Sequence, residues 1–227
     1  MKRIFLALFV LALSSLPAAA QLLEEATNSR EVAMIFHKIS NIKPDYGLWA
    51  SYTQEYGTAL AESKEEVLEE ETLKMQLAYA NLNVDYPKIV VRTSVKANVK
   101  QGRNAVLELD FEAPDPIYFP YHFAERDYAV IAENIDVLKN IPLGVLEASY
   151  IRNKLPLDKK VYLVMTAIPY KTDAKNPFVV EDTPFWLMLS KIATLEIYNR
   201  DLESLWSWKA SWYTKAMMST ENNTKLQ

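Results

Sequence analysis

From residue 89 onward the chain alternates between apolar and polar positions. In "KIVVRTSVKANVK" (residues 88–100) Ile89, Val91, Thr93, Val95, Ala97 and Val99 form one face, and Lys88, Arg92, Ser94, Lys96, Asn98 and Lys100 form the other, with Val90 the exception. "QGRN" turns the chain. Ala105, Leu107, Leu109 and Phe111 then alternate with Val106, Glu108, Asp110 and Glu112. Period two on both sides of a glycine-containing turn predicts a β-hairpin with one buried and one wet face. Val95 and Leu107 should point inward, Lys96 and Glu108 outward. The wet faces are basic on the first strand and acidic on the second, so cross-strand ion pairs account for both.

Before Tyr86-Pro87 the pattern is helical. "NSREVAMIFHKIS" has a cap in Asn28 or Ser29 and apolar residues Val32, Ile35, Phe36 and Ile39 at helical spacing. Pro44 ends that element. Trp49, Tyr52 and Tyr56 follow at i, i+3 and i+7, and Gly57 interrupts them. A charged helix follows through "ESKEEVLEEETLKMQLAYANL". Its apolar stripe is Val67, Leu68, Leu73, Leu77 and Tyr79 or Ala80, and the run 65–71 is its solvated face.

After the hairpin, "DYAVIAE" reads as a short strand. "PLGVLEASYIRNKL" returns to helical spacing with Leu143, Leu146, Tyr150, Ile151 and Leu155 on one side. "KKVYLVMTAIPYK" is apolar on both faces and reads as a central strand. Residues 191–198 form another strand, Asn199-Arg200-Asp201 a turn, and residues 202–208 its partner. This order predicts an α+β fold, a helical N-terminal layer packed on a mainly antiparallel sheet. The reading is a signal peptide at 1–20, one domain at 21–215 (helical at 21–86, β-rich with one internal helix at 87–208) and a disordered tail at 216–227.

The first twenty residues change the charge and the compartment. Lys2 and Arg3 precede an apolar run at 4–13, and Pro17 with Ala18-Ala19-Ala20 supplies a small-residue cleavage site before Gln21. That layout is a secretory signal, too short to span a bilayer. Its removal leaves 23 basic against 29 acidic residues, a net charge of −6 in place of −4. That charge disfavours nucleic acid and anionic lipid as main partners. No later segment is apolar enough to cross a membrane, so no span remains after cleavage. The chain has no cysteine, hence no disulfide and no lipid-anchor thiol. Export without disulfides points to a bacterial product, in which the Asn222-Asn223-Thr224 sequon is silent.

Candidate chemistry is sparse. Four glycines, at 47, 57, 102 and 144, build no phosphate loop, dinucleotide fingerprint or nucleophile elbow. The only histidines are His37 and His122. His37, on an amphipathic helix, reads as a surface or boundary residue. His122 lies in "PDPIYFPYHFAERD", where prolines, aromatics and carboxylates crowd together, with Glu125 and Asp127 close in sequence. The three are candidate catalytic residues, and three such side chains suit an open metal site. The competing reading is a strand turning a corner. In an extended chain Phe119, Tyr121 and Phe123 share a buried face, and His122 points to solvent beside Tyr118 and Pro120. Glu125 and Asp127 then take the aromatics' parity, away from the histidine, which argues against a metal. The pairs Asp110/Glu112, Glu125/Asp127 and Glu181/Asp182, with Asp115, are numerous, but glycosidase chemistry needs a set separation and one raised pKa. In "LWSWKASWY" Trp206 and Trp208 share a strand face suited to stacking on a sugar ring, with Trp212 and Tyr213 beside them. Their alternative role is to plug the sheet against Trp49, Tyr52 and Tyr56. No cofactor is expected.

"LELDFEAPDPIYFPYHF", "GVLEASYIRNKL" and "KKVYLVMTAIPYK" together resemble a group of exported bacterial proteins known only as a domain of unknown function, across residues 87–208. The resemblance implies a bacterial envelope protein and carries over no catalytic residue. The expectation is a non-catalytic periplasmic or secreted protein that binds an envelope protein or polysaccharide. The alternatives are an envelope-polymer hydrolase using the carboxylates near His122, and a carbohydrate-binding module using the Trp206/Trp208 face.

Overall fold

The structure, a computed structural model, describes residues 26–214 except 103, 113 and 114. The segment expected to be a signal peptide, its expected cleavage site, the expected tail and the sequon lie outside the described residues. Helix α1 (Ser29–Ile39) is followed by α2 (Tyr46–Ala50), α3 (Gln54–Thr58) and α4 (Lys64–Asn81). The strands β1 (Ile89–Lys100), β2 (Ala105–Asp110), β3 (Tyr118–Phe123) and β4 (Arg126–Ala132) come next. Then follow α5 (Asp136–Lys139), β5 (Asn140–Leu143), α6 (Val145–Lys154), β6 (Lys160–Val180), β7 (Thr183–Tyr198) and β8 (Ser204–Lys209). The fold is α+β.

One eight-stranded sheet runs β3-β4-β7-β6-β1-β2-β5, with β8 also on β7. Every pairing is antiparallel except β4 with β7. The outer edge of β7 is shared: β4 takes Phe185 to Ser190, and β8 takes Thr194 to Tyr198. The sequence pattern underestimates β6 and β7, which form a single long hairpin rather than strands confined to 159–171 and 191–198. Register shifts at Thr166/Ala167, Pro169/Lys171 and Asp173/Phe178 break the alternation. The turn Glu181-Asp182 has no glycine, yet both residues adopt positive φ (47° and 68°), the handedness that matches hairpin twist.

The first hairpin follows its pattern. Val95 and Leu107 are buried, Lys96 is exposed, and Lys96–Glu112 and Lys100–Glu108 are ion pairs across the strands. Ile89, Val91, Leu163, Met165, Leu195 and Ile197 continue one core face across β1, β6 and β7. Helix α1 packs on β3 and β6, α5 on β2 and β5, and α6 on β1, β2 and β8. A capping box starts α1: Asn28 Oδ1 accepts from Glu31 N at 2.9 Å, and Glu31 accepts from Asn28 N at 3.4 Å.

Two helical stripes differ from expectation. On α4 the inward residues are Glu71 and Met75, while Leu73 and Leu77 are more than half exposed. Helix α4 packs on the short helices α2 and α3. A narrow line at i, i+4 therefore suffices to seat it, and Glu71, expected on the solvated face, is buried with its carboxylate 2.8 Å from Lys74. On α6 the buried residues are Ala148 and Ile151, with Leu146 and Tyr150 facing solvent. The small Ala148 lets the helix approach the sheet, so the large apolar residues at 146 and 150 are displaced outward.

Candidate functional site

The crowded segment is a second tight hairpin. Residues Ala124 and Glu125 turn it, with Ala124 at φ 52° and Phe123 opposite Arg126. Phe119, Tyr121 and Phe123 are half-buried against the core, and Pro120 and His122 are exposed. The parity argument that kept Asp127 away from His122 is overturned. Across a hairpin, facing residues share a side whatever their count along the chain. His122 stands opposite Asp127, and its Nδ1 lies 2.8 Å from Asp127 Oδ1. Glu125 is exposed at the turn. Among the described residues no group of three or more histidine, aspartate or glutamate side chains is arranged to hold a metal ion.

Trp206 and Trp208 lie opposite Ile197 and Leu195 on β7 and pack, half-buried, against the core. Trp212 is exposed. Tyr213 is buried with Ile168, Ala193 and Ala210 in a separate small cluster, and Lys88 and Lys209 sit over its ring.

His37 is not at the surface, as the sequence suggested, but 4 % exposed. Helix α1 is buried from Val32 through His37, because the sheet covers one flank and Trp49 of α2 the other. The imidazole lies 5.1 Å from the ring of Trp49 and 5.5 Å from that of Trp186. Phe36 bridges to Tyr128 at 5.4 Å and to Trp186 at 5.0 Å. The Arg126 guanidinium stacks over Trp186 at 3.8 Å. His37 Nδ1–H donates to the Ile42 carbonyl at 3.2 Å, which leaves Nε2 as a bare acceptor. His37 Nε2 and the Tyr128 hydroxyl are both buried without a hydrogen-bond partner among the described residues. Burial first, and the Arg126 charge with it, lower the His37 pKa to about 4, against the opposing hydrogen bond to Ile42. Burial pushes the Tyr128 phenol up to about 12. The imidazole is thus a neutral acceptor across the physiological range. Spacing alone does not reveal this cluster, since its members come from α1, α2, β4 and β7; the nearest sequence signal is the unbroken apolar run ahead of His37.

The outer side of α6 carries neighbouring large apolar side chains in solvent. Val145 is 84 % and Leu146 87 % exposed, and Tyr150 is 47 % exposed on the same helix. Beside them, between α6 and the β1–β2 turn, lies a cleft of about 380 Å³ whose lining includes Val99, Ala105, Val145, Ala148 and Arg152. Gly144 N donates to Glu147 Oε2 at 3.1 Å, which fixes the start of the helix and the position of Val145.

Comparison with protein-family models, with curated proteins and with solved structures returns no match.

Proposed function

We propose that this chain is an exported bacterial protein that acts by binding, a non-catalytic component of the periplasm or of the secreted cell envelope, and that α6 carries its docking face. The observation behind this reading is the pair Val145 and Leu146, held almost fully in solvent at the start of a helix whose other side is anchored by the fully buried Ile151. Clustered apolar exposure on a rigid element marks interaction surfaces. The basic n-region, apolar run and Ala18-Ala19-Ala20 support export. Among the described residues no helix is long and apolar enough to cross a membrane. The four N-terminal helices act as one layer held on the sheet through α1, a reading supported by the contacts of Phe36 with Tyr128 and Trp186.

The test is site-specific photo-crosslinking in the producing cell, with the crosslinking residue at Leu146 and, as control, at exposed Glu112. An adduct from 146 and not from 112, on a chain whose mature N-terminus is Gln21, is the expected result. Equal adducts from both positions, or none from 146, would sink the docking reading, and retention of Met1 would sink export with cleavage.

The hydrolase reading rests on one observation, the His122–Asp127 pair, in which a carboxylate orients an exposed imidazole as in an acid–base dyad. Hydrolysis of envelope polymer by the purified chain, abolished in His122→Ala, would establish it in place of the binding reading.

A further inference from the structure

The α6 cleft has a chemistry of its own, and it narrows the class of partner. Its lining is mainly apolar, with Val99, Ala105, Val145 and Ala148 joined by the neutral polar Gln101 and Ser149, and the small Ala105 and Ala148 leave room for a ligand side chain. Among the described residues, the one charged side chain in its lining is Arg152. The acidic groups nearby on the chain are engaged elsewhere: Glu147 caps the helix start, and Glu203 pairs with Lys154 at 3.0 Å. Arg152 itself is exposed and has no ion pair among the described residues. A guanidinium presents a planar fork that matches a carboxylate, which makes arginine the specific choice over lysine for such a contact.

We propose that the cleft binds an extended acidic peptide segment of a partner protein, with an apolar side chain seated against Val145, Ala105 and Ala148 and a carboxylate on Arg152. The proposal rests on α6 being the docking face. Val145 and Arg152 are two turns apart on one flank of α6, about 10 Å at 1.5 Å per residue. An extended peptide covers that distance in about three residues. The recognised motif is therefore a Leu, Ile or Phe separated by about three positions from an Asp or Glu. The volume of the cleft, about 380 Å³, accommodates a single large apolar side chain with adjoining backbone. A membrane surface fits less well, since Arg152 and Val145 open into a recess between a helix and a β-turn rather than onto a plane.

The experiment is selection of random linear peptides displayed on phage against the mature chain, followed by fluorescence anisotropy with the recovered peptide, synthesised and fluorescein-labelled. Recovered sequences are expected to carry the apolar–acidic spacing above. Arg152→Glu should weaken binding at least tenfold, Arg152→Lys less, and a parallel selection on Arg152→Glu should return basic residues at the acidic position. Val145 and Arg152 are both exposed, so unchanged thermal melting of their variants is expected and verifies folding. If the peptides lose affinity for Val145→Glu but keep it for Arg152→Glu, the acidic partner is wrong while the docking face stands. If neither variant changes affinity, or selection enriches nothing, both the partner and the face fall. A concentration-dependent dimer in sedimentation that is lost in Val145→Glu assigns the cleft to a second copy and overturns the peptide.

Discussion

Acidification should reveal His37 as a stability switch of calculable size. Its pKa is lowered from 6.5 to about 4 in the folded chain, where burial among Phe36, Trp49 and Trp186 and the Arg126 charge oppose protonation. The unfolded chain therefore takes up this proton first. A group with a depressed folded pKa contributes stability that is complete above the unfolded value and is lost as pH falls toward the folded one. The window is pH 6.5 down to about 4. A shift of roughly 2.5 units at about 1.4 kcal/mol per unit sets an upper bound of about 3.5 kcal/mol. Against a typical domain stability of about 5–15 kcal/mol that is a large share. The assay is urea unfolding followed by tryptophan fluorescence at steps between pH 7 and 4, for the parent and His37→Phe. Phenylalanine keeps an aromatic ring in the cluster, loses the hydrogen bond to Ile42 and removes the orphaned Nε2, so at pH 7 it should lie within about 1 kcal/mol of the parent. At pH 4.5 it should be the more stable of the two. The depressed pKa values of Asp173 and Glu203 contribute acid sensitivity to both proteins and cancel in the difference. If His37→Phe shows the parent's slope from pH 6.5 to 4.5, the proton goes elsewhere and the reasoning fails.

Three further outcomes are expected. Tyr128→Phe removes a buried hydroxyl without a partner among the described residues, so thermal melting should show no loss or a gain of up to about 1 kcal/mol, and a loss above about 2 kcal/mol would mean the hydroxyl is bonded. On β1, Val95→Asp should unfold the domain, because it buries an unpaired charge, while Lys96→Asp one position along should cost about 1 kcal/mol or less; equal damage in denaturant titrations would refute the register. On α6, Ile151→Ala should cost about 2–5 kcal/mol and Leu146→Ala almost nothing, and a comparable loss at both positions would show that Leu146 is covered.

Strand alternation was legible where a strand has one wet face. The first hairpin could be read residue by residue because Lys96 and Glu108 stand opposite the buried side. The distal halves of β6 and β7 were not, since their bulges cancel the period of two and their turn uses Glu181-Asp182 in place of glycine. The parallel β4–β7 pairing has no local signal at all; it joins strands whose partner residues are 58 positions apart, as Asp127 with Phe185. The cap and apolar stripe of α1 were legible, whereas the stripes of α4 and α6 failed for a different reason. Period 3.6 identifies an apolar side but does not say which apolar side is used. On α6 the helix seats itself on the small Ala148 and on Ile151, and on α4 a carboxylate, Glu71, is carried inward beside Met75.

The candidate sites follow the same division between what is local and what is assembled. His122 and Asp127 are five residues apart, and their meeting turned on one local question, whether the chain bends at Ala124-Glu125. The prolines and aromatics that suggested a corner are compatible with a hairpin as well, and a hairpin replaces parity along the chain by opposition across it. His37, Arg126, Tyr128 and Trp186 meet only after the sheet has formed and α1 has docked on it. For such a group the sequence supplies residue types without their environment, and the environment is what lowers one pKa and raises another. The α6 face lies between these cases. Its residues are consecutive on one helix, and apolar exposure there is the remainder left once Ile151 and Ala148 have taken the buried positions. A stretch with more large apolar residues than its packing can use is therefore legible as a surface candidate only when the buried side is known. In this chain α6 has that excess beside a cleft with an arginine at its rim, and α4, with Leu73 and Leu77 outward, has it beside a recess whose described lining residues include Glu69 and no arginine.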